Sequence, residues 1–100
     1  MKAKNNYFSR GQAEEFAEIL KALGHPLRLQ LADILSNEKL CVGDLSKRIG
    51  MAQALISQQL KILRMVNLVK SEKLHGYSYY SLSKPRLKEL LRCLRKCKKE

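Results

Sequence analysis

Apolar residues recur with helical spacing in five segments of the chain, and one further segment reads as a strand pair. The first segment carries Phe16, Ala17, Leu20 and Leu23, with Ala13 and Ile19 alongside, against Glu14, Glu15, Glu18 and Lys21 on the other face. That is the stripe of an amphipathic helix. Ser9 with Gln12 three residues on predicts a capping box at its start, and Gly24 a C′ glycine at its end. His25-Pro26 opens a second helix, because proline suits a first turn, and Leu27, Leu31, Ile34 and Leu35 face inward. Asn37-Glu38-Lys39 is a polar turn.

A short third helix is expected over 42–49, with Cys41 at its N-cap, Asp44 at N3 and Gly50 as its stop. A fourth follows over 53–64, with Leu55 or Ile56, Leu60, Leu63 and Val66 inward and Asn67 as a left-handed terminator. Its N-cap is Ala52, where a capping hydroxyl would contribute on the order of 1 kcal/mol. Strands at 68–73 and 77–82 flank a tight turn at His75-Gly76, and Tyr79, Tyr80 and the serines around them suit a ribbon with one buried face. Ser83 is placed to cap a last helix with Pro85 in its first turn and a seam of Leu87, Leu90, Leu91 and Leu94. The expected fold is mainly α with a small β-wing, a winged helix-turn-helix in the order α-α-α-α-β-β-α. It forms one domain over 1–100, with 1–8 and 98–100 frayed. Two helices, a tight turn and a wing place one helix in a DNA major groove.

Composition sharpens that reading. Twenty Lys+Arg stand against nine Asp+Glu, a formal charge of +11. A solubilising surface accounts for a few units of charge, and eleven point to a polyanion: nucleic acid first, an anionic membrane second. A chain of 100 residues buries a modest core, so a dimer is one way to hide more apolar surface. No apolar run approaches the ~18 residues that span a bilayer. The basic N-terminus is not followed by an apolar signal region, so a cytoplasmic location is expected, with no membrane partner. Three cysteines are then free thiols, metal ligands or redox sensors rather than a disulfide framework. An enzyme is excluded, since there is no glycine-rich phosphate loop, no nucleophile with a base and no carboxylate pair in a pocket-forming context.

Three strings, taken in order, resemble one family. They are Leu20-Lys21-Ala22-Leu23-Gly24-His25-Pro26-Leu27-Arg28-Leu29, then Cys41-Val42-Gly43-Asp44-Leu45, then Ile56-Ser57-Gln58-Gln59-Leu60-Lys61-Ile62-Leu63-Arg64 with the Leu68-Val69 and Tyr79-Tyr80 strands after it. They resemble the ArsR/SmtB-type winged helix-turn-helix repressors, over about 16–94 of this chain. The resemblance implies a homodimer through the first and last helices. It implies binding to an imperfect palindrome in a promoter, repression of transcription, and release by a soft metal ion or a thiol-reactive species.

A recognition helix meets base edges mainly through its N-terminal half. Gln53, Ala54, Ser57 and Gln58 lie there, with Gln53 and Ser57 at i and i+4. Gln pairs bidentately with adenine, Ser meets several bases, and Ala54 suits a thymine methyl. Gln59 and Lys61 sit further round, toward phosphate. Arg48 and Lys47 of the third helix should face the DNA backbone, and Lys73 and His75 of the wing should reach phosphate or the minor groove. His75 is read equally well as a plain turn residue.

Cys93 and Cys97 stand at i and i+4 of the last helix among Arg92, Arg95, Lys96 and Lys98, where positive charge favours thiolate. Cys41 has the same advantage from a helix N-terminus. Cys93 and Cys97 can ligate a soft metalloid such as arsenite or react with reactive sulfur or an oxidant. They read alternatively as small apolar residues of a dimer interface. No cofactor is required. The resemblance does not carry a metal site over whole: metal-sensing relatives have Cys-Val-Cys where this chain has Cys41-Val42-Gly43. The last helix has neither His nor Asp, which disfavours a hard or borderline divalent ion. Reactive-sulfur sensors of the family pair a thiol on the second helix with one on the last, and the second-helix position here is Asp33. His25 reads as structural. The competing class is a winged-helix DNA-binding or protein-interaction module with no inducer and purely structural cysteines.

Overall fold

The structure, a computed structural model, describes residues 6–97. Helix α1 (Arg10–Leu23) starts where the capping box predicts: Ser9 Oγ accepts from the Gln12 N–H at 3.2 Å, and Gln12 Oε1 accepts from the Ser9 N–H at 3.0 Å. The expected fraying of 1–5 and 98–100 lies outside the described residues, while residues 6–8 precede α1 and are exposed. Gly24 ends α1 without the left-handed conformation expected of it, at φ −78°. The break comes instead from His25, which is extended because it precedes Pro26. His25 then caps α2 (Pro26–Leu35), its Nδ1 accepting from the Leu27 N–H at 3.2 Å, which is a structural role.

Between α2 and α3 (Val42–Ile49) lies a strand that the sequence pattern does not display, β1 (Leu40–Cys41). Two residues are too few for a period, and the strand exists only because Tyr79 and Tyr80 of a later strand pair with it. Gly50 closes α3 at φ +81°, as expected of a glycine C-cap. Helix α4 (Gln53–Met65) has Ala52 at its N-cap with no side-chain cap. The approach to it is held instead by the Ser46 hydroxyl, which donates to the Met51 carbonyl. Asn67, just past α4, is left-handed at φ 60°. Strands β2 (Val69–Leu74) and β3 (Tyr77–Leu82) then pair antiparallel around His75 and Gly76, at φ 52° and 84°. Two successive positive φ values make a tight two-residue hairpin. The sheet order is β1-β3-β2, with Leu40 opposite Tyr80 and Cys41 opposite Tyr79.

Helix α5 (Pro85–Lys96) has Lys84 and not Ser83 at its N-cap, with no side-chain cap. The Ser83 hydroxyl is taken by the Asn67 carbonyl at 2.6 Å, and its N–H by the Leu68 carbonyl at 2.9 Å. These bonds tie the exit of the wing to the exit of α4. Leu31, Leu45, Ile56, Leu60, Leu63 and Leu68 are fully buried between α2, α3, α4 and the start of β2. Each such side chain contributes ~1.5–3 kcal/mol. The core therefore fixes α4 on its inward face and leaves the outward face free. No helix among the described residues is long and apolar enough to cross a membrane.

Candidate nucleic-acid interface

Helix α4 divides into two faces. Ile56, Gln59, Leu60 and Leu63 point into the protein. Ala54, Ser57, Gln58, Lys61 and Arg64 are exposed and, with Tyr80 of β3, line a shallow groove of about 770 Å³ between the helix and the sheet. The stripe 54, 57, 61, 64 follows helical spacing, so small and polar groups precede cations along one face. Arg64 and Tyr80 are absent from the sequence-based set of DNA-facing residues. Continuing the period from Lys61 finds Arg64, whereas Tyr80 depends on how the sheet packs.

Not every expected residue joins this groove. Gln53 is exposed but lies against α3: its Nε2 is 3.9 Å from where a Cβ on Gly43 would stand, and the Cys41 Sγ is 4.0 Å from that same point. Gln59 does not face phosphate. It is 8% exposed, and its Oε1 accepts from Arg28 Nη1 at 2.9 Å. Its place between Ile56, Leu60 and Leu63 turns it inward. Arg48 is exposed, but Glu38 holds it with two bonds of 2.7 and 3.1 Å. This bidentate contact lowers the Glu38 carboxyl below its ordinary range and raises the Arg48 guanidinium above its own. Lys39 similarly bonds Glu72 of β2 at 2.8 Å and lowers that carboxyl. Both pairs are solvent-exposed, so they add little stability, but they occupy cations beside the interface. Lys73 and His75 are exposed at the wing tip.

Cys41 stands at the N-cap of α3, and Cys93 and Cys97 belong to α5 and its C-cap. Cys41 is half-buried, and its Sγ donates to Asp44 Oδ2 at 3.3 Å. Cys93 is exposed on α5. Cys97 is exposed too, but it is the C-cap of α5 in extended conformation, at φ −68° and ψ 124°. Its φ stays helical and its N–H bonds the Leu94 carbonyl at 3.1 Å, so it is the chain after Cys97 that turns away from the helix axis. Asp33 faces α5, and its Oδ1 accepts from Arg95 Nε at 3.0 Å and Nη2 at 2.8 Å. An ion pair thus joins α2 to α5 where the resemblance placed a thiol in the reactive-sulfur sensors. Among the described residues no three His, Cys, Asp or Glu side chains cluster to hold a metal ion.

A buried helical core, an α3-turn-α4 pair with an outward face on α4, and a hairpin beside it define a winged helix-turn-helix protein. Residues 25–71 match the family described as bacterial regulatory protein, arsR family. The chain is 38% identical over 84 residues to the transcriptional repressor SmtB homolog of Synechocystis, covering 84% of this chain and 64% of that protein. It is 35% identical over 83 residues to the biofilm growth-associated repressor of Xylella fastidiosa, covering 83% of this chain and 73% of that protein. HlyU from Vibrio cholerae superposes with a TM-score of 0.82 at 31% identity, over 87% of this chain and 95% of that one. The chain belongs to the ArsR family of bacterial regulatory proteins. The Synechocystis relative is a transcriptional repressor homolog and the Xylella relative a repressor.

Proposed function

We propose that this chain is a sequence-specific transcriptional repressor that binds duplex DNA as a homodimer, on a palindromic operator. The observation that carries this reading is the exposed stripe of α4. Ala54, Ser57 and Gln58 supply base-reading groups, and Lys61 and Arg64 follow toward the phosphates. The wing supplies Lys73 and His75 on the flank. The net charge of +11 supplies the long-range attraction.

The homodimer reading rests on surface left bare in one copy. Phe8, Leu20, Leu90 and Leu94 are 60%, 57%, 39% and 49% exposed on and around α1 and α5. Phe8, Leu20 and Leu90, with Phe16 and Leu87, border an apolar groove of about 600 Å³ between the two helices. A second copy of this chain covers such a face symmetrically.

Release by a thiol-reactive inducer, reactive sulfur, an oxidant or an arsenite-like metalloid, is the regulatory part of the proposal. It uses Cys93 and Cys97, with Cys41 as a further candidate and no required cofactor. Exposure of Cys93 and Cys97 supports it. The ion pair of Asp33 with Arg95, at the place of the second-helix thiol, favours a second reading, an unswitched DNA binder with structural cysteines.

Selection from a randomised duplex pool, followed by sequencing, tests the main claim. The expected product is a pair of inverted half-sites about one helical turn, ~10 bp, apart. A pool that does not enrich contradicts it. Binding to the selected duplex is then followed after arsenite and, separately, after an organic polysulfide. Release by either agent, lost in Cys93→Ser/Cys97→Ser, supports the thiol switch. Unchanged binding leaves the second reading.

A further inference from the structure

We infer that Arg28 and Gln59 form a tether that sets the angle of the recognition helix, so that Gln59 acts as a positioning residue and not as a DNA contact. This rests on the sequence-specific reading above. Gln59 occupies the apolar face of α4 at the spacing Ile56, Gln59, Leu60, Leu63, where a leucine would pack as well. An amide buried there is costly unless it is hydrogen-bonded. Its partner is Arg28 of α2, thirty-one residues away, with Nη1 2.9 Å from Gln59 Oε1. A guanidinium only donates, so it is the amide oxygen that faces it.

Arg28 holds a third element at the same time. Its Nε donates to the Ala22 carbonyl at 2.6 Å. Ala22 is in the last turn of α1, among the carbonyls that a helix leaves without a partner. One half-buried side chain therefore joins the end of α1, the start of α2 and the middle of α4. α1 lies at the proposed dimer face, and α4 carries the DNA-facing stripe one residue away, at Gln58. A planar, multiply bonded guanidinium fixes direction as well as distance, which apolar packing alone does not. The tether thus relates the recognition helix to the two-fold axis. That relation decides whether both half-sites are met in register.

The test compares Gln59→Met, which keeps the volume and removes the acceptor, with Gln59→Glu, which keeps an acceptor for Arg28 and adds charge. Each variant is titrated by anisotropy against a duplex selected by the wild-type chain and against a scrambled duplex of the same composition, at several salt concentrations. Thermal melting reports folding alongside. Gln59→Met is expected to weaken binding to the selected duplex about tenfold, with little change on the scrambled one and none in the salt slope. Gln59→Glu is expected to keep discrimination. Equal weakening on both duplexes marks Gln59 as a phosphate contact and overturns the inference. Unchanged binding in Gln59→Met overturns it as well. If Gln59→Met does not fold, Gln59→Glu decides: retained discrimination supports the tether, and lost discrimination overturns it. A wild-type chain that binds both duplexes equally defeats the sequence-specific reading and the tether together. Discrimination by the wild type that Gln59→Met preserves defeats the tether alone.

Discussion

Gln58 and Gln59 are the same residue type at adjacent positions, and the fold sends them in opposite directions. A helical step of about 100° is enough to put one in solvent and the other against Arg28. The period that marks Ile56, Leu60 and Leu63 as inward also places Gln59 inward, against the expectation that it reaches phosphate; its partner was not legible, because Arg28 lies on another element. Arg48 is a similar case. Its exposure follows from the helix pattern, but its bidentate hold on Glu38 depends on how the turn before β1 folds back. Freeing Arg48 should raise affinity for any DNA. Glu38→Gln is expected to increase binding to a scrambled duplex and steepen the salt slope by about one, read by anisotropy across a salt series. An unaltered slope would show that Arg48 does not reach phosphate. The pair should not make binding pH-dependent near neutrality. The Glu38 carboxyl is lowered, so its ion pair is intact above the ordinary carboxylate range and is lost only as pH falls through the lowered value.

At the scale of elements, local chemistry that is complete within a few residues was readable. The Ser9–Gln12 box, proline at the start of α2, Gly50 after α3 and the His75-Gly76 hairpin each behave as their residue types require. What was not readable depended on distant partners. β1 forms because Tyr79 and Tyr80 pair with it, and Ser83 is drawn from its capping role to the Asn67 carbonyl. Gly50 gives a clean test of local control. Nothing lies within 4 Å of a Cβ built there, so a substitution meets conformational strain and no clash. Gly50→Ala is expected to cost ~1–2 kcal/mol in urea denaturation, because φ of +81° disfavours a side chain. A loss well below that would mean the α3–α4 turn relaxes into another conformation.

For the whole molecule, a modest core and bare apolar faces on α1 and α5 belong together. The α1 stripe of Ala17 and Leu20, and Leu90 and Leu94 of α5, are amphipathic in sequence yet exposed in one copy. Their periodicity was legible; what covers them is a property of two chains. Leu90→Glu is expected to shift the protein to monomer in sedimentation equilibrium while leaving the fold intact, since Leu90 is outside the buried core. A dimer that survives Leu90→Glu and Leu94→Glu together would place the interface elsewhere.

The central claim is that the outward face of α4 reads bases while its cations hold phosphate. Its most direct test is an anisotropy titration of the selected and scrambled duplexes by Ser57→Ala/Gln58→Ala and by Lys61→Ala. The account predicts that the first variant loses ~1–3 kcal/mol per base contact on the selected duplex only. It predicts that Lys61→Ala weakens both duplexes alike and lowers the salt slope by about one. Undiminished discrimination in Ser57→Ala/Gln58→Ala would contradict it.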